Sequence, residues 1–321
     1  MFSWNRTAMM SRWLKVAVAF AALAATPARA ADVVFPTGSK LGLVPPDGLT
    51  ASETFRGFED KTNNSAILML EMPAQAFRDV EKAMTADALK KQGLILEKRE
   101  TINIKNGKAI LIVGRQNADG ANVRKWVLVG GTPEMTALVT ALIPDKAKNA
   151  YPDAAVRNAL ASIEVRGTIP IDEQIALLPF KLEDFADLRA FRVEPNTIFL
   201  TSGPKDSLDA SEQALLVVSA AVGGPSETGS REIFARNLFS GIPGYKDVQI
   251  VGSDVIRLAG QQTYQLMAEA KDSNTGQDVK VVQWLRFGNG AFVRFLGIAR
   301  ADQWSDAFPR FRTVRDSLAA R

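Results

Sequence analysis

Cysteine and histidine are both absent from the 321 residues of this chain, and only three residues are tyrosine. Without cysteine there are no disulfides, thiol nucleophiles or thiolate metal sites, so stability rests on the packed core. Without histidine the commonest general base and the usual zinc ligand are missing. Ser-His-Asp and Cys-His machinery is thereby excluded, which leaves carboxylate, lysine, tyrosine or serine chemistry. Long apolar runs are lacking as well. The run at 16–25 falls far short of the ~20 residues that cross a bilayer as a helix. No metal and no cofactor is expected.

The N-terminus does carry a recognisable layout. Arg6, Arg12 and Lys15 precede the apolar run, and Ala28-Arg29-Ala30 supplies a small-x-small cleavage signal. This is the three-part pattern of a secretory signal peptide over residues 1–30, with cleavage expected after Ala30 and no transmembrane anchor afterwards. The chain holds 39 basic and 35 acidic residues. Four of the basic ones and none of the acidic ones lie in 1–30, so the remainder carries 35 of each sign. Bulk electrostatics therefore gives no support to nucleic-acid binding.

Beyond the leader the chain reads as one unit used twice, divided near Gly167 and Pro170 into 31–168 and 169–321. "LVPP" at Leu43 returns as "LLPF" at Leu177, and "SAILMLEM" from Ser65 as "QALLVVSA" from Gln213. Gly107 is matched with Gly260, Trp126 with Trp284, and Tyr151-Pro152 with Phe308-Pro309. In the first copy an apolar strand leads into a helix along 73–93, with Phe77, Val80, Met84 and Ala88 on one face. The second copy predicts a shorter helix capped by Ser230, burying Ile233, Phe234 and Leu238. Strands are expected near 94–104, 108–117, 122–129 and 135–143, and again near 248–258, 261–271, 277–287 and 291–299. Each copy ends in a helix opened by its proline. Strands apolar on both faces, with helices before and after, predict an α+β protein of two tandem antiparallel sheets covered by helices.

This order of elements, with the Gly107 turn, Trp126, Tyr151-Pro152 and Ser162-Ile163, resembles the PsbP-like superfamily. That superfamily includes extrinsic photosystem II subunits, a Ran-binding relative and many bacterial envelope proteins. The resemblance implies a non-catalytic fold used for partner binding. It supplies no catalytic motif, and neither the manganese-cluster nor the Ran-contact region is matched here.

Four local features invite chemistry. Gly288-Asn289-Gly290 has the composition of a phosphate loop, but a strand-like run follows it where such a loop needs a helix. Asn289-Gly290 is instead expected to form a hairpin turn, facing Trp284 with Phe295 and Arg286 with Val293. Lys271 to Asp278, "KDSNTGQD", has calcium-loop residues at the wrong spacing and reads as a strand connection. Ser202-Gly203-Pro204-Lys205 spells S-x-x-K, yet Gly-Pro opposes the helix that pairing requires. Trp126 and Trp284, with Arg286 and Arg294 near the second, are the binding candidates: an indole platform beside a guanidinium suits an acidic or planar ligand. Against this stands a core tryptophan repeated with the fold, which the size of indole favours. The C-terminal arginines, Arg315 among them, read as a solvated helix face. The functional expectation is an exported, periplasmic, non-enzymatic accessory protein that binds a protein or envelope partner. The alternatives are a hydrolase with paired carboxylates in an inter-domain groove, or a small-ligand carrier.

Overall fold

The computed structural model describes residues 32–118, 121–288 and 290–319. The expected leader, 1–30, lies outside these residues, as does Asn289 of the expected turn. The N-terminal half runs β1 (Leu41–Gly42), β2 (Thr50–Ala51), β3 (Gly57–Asp60), β4 (Ser65–Pro73), α1 (Ala76–Ala83), α2 (Ala86–Lys91), β5 (Leu94–Ile104), β6 (Gly107–Ala118), β7 (Ala121–Gly131), β8 (Met135–Pro144), α3 (Asp153–Ala161) and β9 (Glu164–Val165). The second half runs α4 (Ile171–Ala176), β10 (Lys181–Leu182), β11 (Arg189–Glu194), β12 (Thr197–Thr201), β13 (Leu215–Val222), α5 (Thr228–Ser240), β14 (Tyr245–Leu258), β15 (Gln261–Asp272), β16 (Asp278–Gly288), β17 (Ala291–Arg300), α6 (Trp304–Asp316) and β18 (Leu318–Ala319).

Two seven-stranded antiparallel sheets result, ordered β2-β3-β4-β8-β7-β6-β5 and β11-β12-β13-β17-β16-β15-β14. Numbered from its own first strand, each sheet has the same order. The first and last strands of each half also pair as a two-strand ribbon, β1 with β9 and β10 with β18. The chain is thus two tandem α+β domains. The strands β2, β3, β11 and β12 have no counterpart in the sequence reading. They are two to six residues long, too short for periodicity to declare them, and are defined by the neighbours they pair with.

Central strands are apolar on both faces because helices cover both. In the first domain Trp126, Leu128 and Ile143 pack with Val156 and Leu160 of α3 on one face. Ile110, Ile112 and Val127 pack with Leu89 of α2 on the other. In the second domain Val282, Trp284 and Phe295 meet Phe311 and Val314 of α6. Its opposite face joins Tyr264, Leu285 and Phe292 to Ala235 and Phe239 of α5. The expected cross-strand register is present: Trp284 faces Phe295 and Arg286 faces Val293.

Several local expectations change. The helix along 73–93 is two helices, because Thr85 leaves the helical path and caps α2 by accepting the Ala88 N–H. The second copy's helix is longer than either of those, at 13 residues; Glu227 occupies its N-cap position and Ile233 is exposed. Pro309 does not open the last helix. It lies inside α6, which begins at Trp304, whereas Pro152 does sit just before α3. Gly260 corresponds to Asn106 rather than Gly107, since the two hairpin loops are Lys105-Asn106 and Ala259-Gly260. Asn106 takes the left-handed conformation, at φ 61°. Gly107 is required for another reason: a Cβ there would stand 2.1 Å from the Gly131 carbonyl oxygen.

Candidate functional site

The four candidate binding residues do not assemble into one site. Trp126 belongs to the first domain, is 4% exposed and stands opposite Val113 and Ala141 in the sheet. Its indole nitrogen has no hydrogen-bond partner among the described residues. Trp284 is fully buried and donates its indole N–H to Gln265 Oε1 at 2.7 Å. Phe308 of α6 stacks on it at 5.9 Å, tilted by 21°. The guanidinium lying over Trp284 is that of Arg315, 4.8 Å from the ring and 5% exposed. Arg315 is therefore not on a solvated face. Its place was readable: Trp304, Phe308, Phe311 and Arg315 follow the i, i+4, i+7, i+11 spacing of one helix side.

Arg294 lies on the other face of the sheet, under α5. It donates to Gln283 Oε1 at 2.8 Å and to the Leu238 carbonyl at 3.1 Å. Gln283 in turn donates to the Ala235 carbonyl at 2.9 Å. Both carbonyls belong to the C-terminal half of α5, where a cation offsets the helix dipole. Burial pushes the Arg294 guanidinium below its ordinary pKa. This pair anchors a helix; it does not face a ligand.

Arg286 is different. It is half-buried and lines a cleft of about 450 Å³ at the β16–β17 end of the second sheet, with Phe180, Val222, Phe287, Phe292 and Leu318. Its hydrogen bonds go to two neutral oxygens, Gln261 Oε1 at 2.5 Å and the Leu318 carbonyl at 3.4 Å. Sequence reasoning missed the cleft because its walls come together from the segment before β10, from Asn196 and Gln261, and from β13, β16, β17 and β18.

The remaining motifs are structural. Ser202 Oγ accepts the Ala214 N–H at 3.1 Å, and the Lys205 amine pairs with Glu212 at 2.8 Å. Asp272 Oδ1 accepts the Asn274 and Thr275 N–H groups, so it closes a strand connection. No cluster of acidic side chains able to hold a metal ion occurs among the described residues. The carboxyls of Asp60, Glu100, Glu173, Asp272 and Asp302 are all held below their ordinary values, chiefly by hydrogen bonds. A hydrolytic general acid needs the opposite shift. Tyr151, which donates to Asp60 Oδ2 at 2.7 Å, is pushed up to about 12 by burial and then by that bond.

One further surface stands out. The outer strand of the first sheet, β5, exposes Glu97, Lys98 and Arg99 along its middle, beside a single exposed Ile95. Its counterpart β14 exposes Val248, Ile250, Val251 and Val255 at 45%, 45%, 59% and 53%. Charged edges resist pairing with other chains, and aliphatic ones invite it. No helix among the described residues is long and apolar enough to cross a membrane.

No family model matches the chain, and neither does any curated protein sequence. Solved structures do resemble it. LpqN of Mycobacterium tuberculosis, involved in cell envelope biogenesis, is 17% identical, covering 44% of this chain and 82% of its own at a TM-score of 0.35. The cyanobacterial PsbP of Synechocystis is 13% identical, covering 43% and 95% at 0.29. The type VI secretion immunity protein TplEi of Pseudomonas aeruginosa, solved with a peptide, spans both halves: 8% identity, 90% and 98% coverage, TM-score 0.29. At these identities and TM-scores no family, partner or activity passes to this chain.

Proposed function

We propose that this chain is an exported, periplasmic, non-enzymatic accessory protein of the bacterial envelope, built of units 31–168 and 169–321, that holds a protein partner along β14. The leader-like segment at 1–30 and the balanced charge of the remainder support export and argue for a partner recognised by shape and apolar contact. The closing ribbons β1–β9 and β10–β18 support the division.

The observation that carries the reading is the contrast between the two outer strands. At the same position in the same topology β5 exposes one large aliphatic residue beside its charges, whereas β14 exposes four, set among Lys246, Asp247, Asp254 and Arg257. Two bulges interrupt β14 near Asp247 and Val251, while 252–258 pairs regularly with β15 and ends the sheet, leaving its outer backbone groups without a strand neighbour among the described residues. A partner strand or loop would find there both hydrogen-bonding groups and an apolar rim.

A photo-crosslinking residue placed at Val251, with Lys98 of β5 as the control position, tests this in growing cells. The reading expects one discrete adduct from Val251, absent from Lys98 and abolished by Val255→Lys. Equal labelling from both strands, or none from either, overturns it. Recovery of the chain from the cytoplasmic fraction overturns the export half.

A further inference from the structure

From the cleft around Arg286 we infer that the second domain binds a small amphipathic anion, an aliphatic carboxylate whose chain lies on Phe180, Val293 and Leu318 and whose head meets the guanidinium. This goes beyond the partner reading and does not depend on it.

The argument begins with the repeat. The matched hairpin loops Lys105-Asn106 and Ala259-Gly260 set the register: Leu111, opposite Leu128, corresponds to Gln265, opposite Trp284, so Gly130 in the first domain corresponds to Arg286 in the second. Gly130 faces Ala137 as Arg286 faces Val293. The fold needs no side chain at this position, and the arginine answers some other requirement. Arg294 and Arg315, the other buried arginines of this domain, are each spent on the structure: one holds α5, the other lies on Trp284 and pairs with Asp316 at 2.7 Å. Arg286 makes no ion pair among the described residues, where its acceptors are two neutral oxygens.

A guanidinium beside apolar walls attracts an anion more strongly than one in open water, because the local dielectric is lower. Its planar fork fits a carboxylate through two parallel hydrogen bonds. The rest of the lining is apolar, with Asn196 and Gln261 as the other polar side chains. A volume of about 450 Å³ lies within the ~300–1,000 Å³ usual for small-ligand sites. A short, fully polar anion would leave most of this wall uncovered, and an uncharged chain would leave the cation unanswered. A chain ending in a carboxylate satisfies both.

Isothermal titration of the purified chain with decanoate, 1-decanol and acetate separates these terms. Decanoate is expected to bind with one-to-one stoichiometry, about tenfold or more tighter than 1-decanol, the margin a charge-assisted hydrogen bond supplies. Acetate is expected to give no measurable heat. Arg286→Leu keeps an aliphatic stem at this position and removes the charge; it should bring decanoate down to the affinity of 1-decanol. Ala220→Trp, opposite Val293 on the Arg286 face of the sheet and in the cleft wall, should weaken both. Absence of saturable decanoate binding, equal affinity for acid and alcohol, or an unchanged Arg286→Leu overturns the inference. These outcomes leave the crosslinking at Val251 untouched, so the two proposals fail separately.

Discussion

Trp126 and Trp284, two positions apart in the register of the repeat, show how one residue type acquires two environments. Opposite Trp284 stands Gln265, which takes the indole N–H; opposite Trp126 stands Val113, which cannot. Replacement by phenylalanine therefore costs unequal amounts. Trp284→Phe abandons a buried hydrogen bond and leaves the Gln265 carbonyl oxygen without its donor, a loss of about 1–2 kcal/mol beyond the lost packing. Trp126→Phe removes a buried donor that has no partner, which offsets part of its packing loss. Equilibrium urea unfolding should show the larger drop in midpoint for Trp284→Phe, and equal drops would refute the assigned hydrogen bond.

At the scale of elements, α5 is the case where side chains from a sheet hold a helix that its own sequence holds weakly. Only Ala235 and Phe239 of its 13 residues are buried. Gln283 and Arg294 add hydrogen bonds to two of its carbonyls from below. Gln283→Leu would leave Arg294 a buried cation with a single carbonyl acceptor, at a cost of about 2–3 kcal/mol. Hydrogen exchange along 231–240 should accelerate accordingly, while exchange in α6, which packs on the other face, should not change. Adding Arg294→Met should restore part of the protection, because an apolar pair replaces a half-satisfied polar one. Uniform acceleration in both helices would mean that the pair supports the whole domain rather than α5.

For the molecule as a whole, the contact between the halves passes through a few polar groups. Arg166 forms a two-pronged pair with Glu173 of α4 at 2.8 and 2.5 Å, and also donates to the Ser39 carbonyl. Glu173 accepts the Gly38 N–H at 2.9 Å as well. The Arg166 guanidinium holds the Glu173 carboxyl below its ordinary value of 4.5, partly opposed by burial. A carboxyl with a depressed folded pKa contributes fully above its ordinary value, and the contribution disappears as pH falls through the depressed one. The spacing between the halves, followed by energy transfer between one dye in each, should stay constant from neutral pH to about 5 and loosen on further acidification. Glu173→Gln should be loose already at neutral pH and lack the acid step. A Glu173→Gln profile identical to that of the parent chain would remove this pair from the junction.

Much of this architecture was legible in the chain. The absence of cysteine and histidine, the duplicated order of segments, the long central strands and the α+β class are all properties of composition and local period, which neighbours do not alter. The register of Trp284 with Phe295 followed from a short turn flanked by apolar runs. Tertiary structure decided the rest. Whether Arg315 faced water or Trp284, whether Pro309 opened a helix or lay inside one, and whether Arg286 and Arg294 shared a face depended on contacts between segments far apart in sequence. The short outer strands exist only because β4 and β13 offer them an edge to pair with. The candidate cleft is the clearest instance. Its walls come from segments spread between 179 and 319, and its guanidinium, which makes no ion pair among the described residues, stands where the first domain has Gly130.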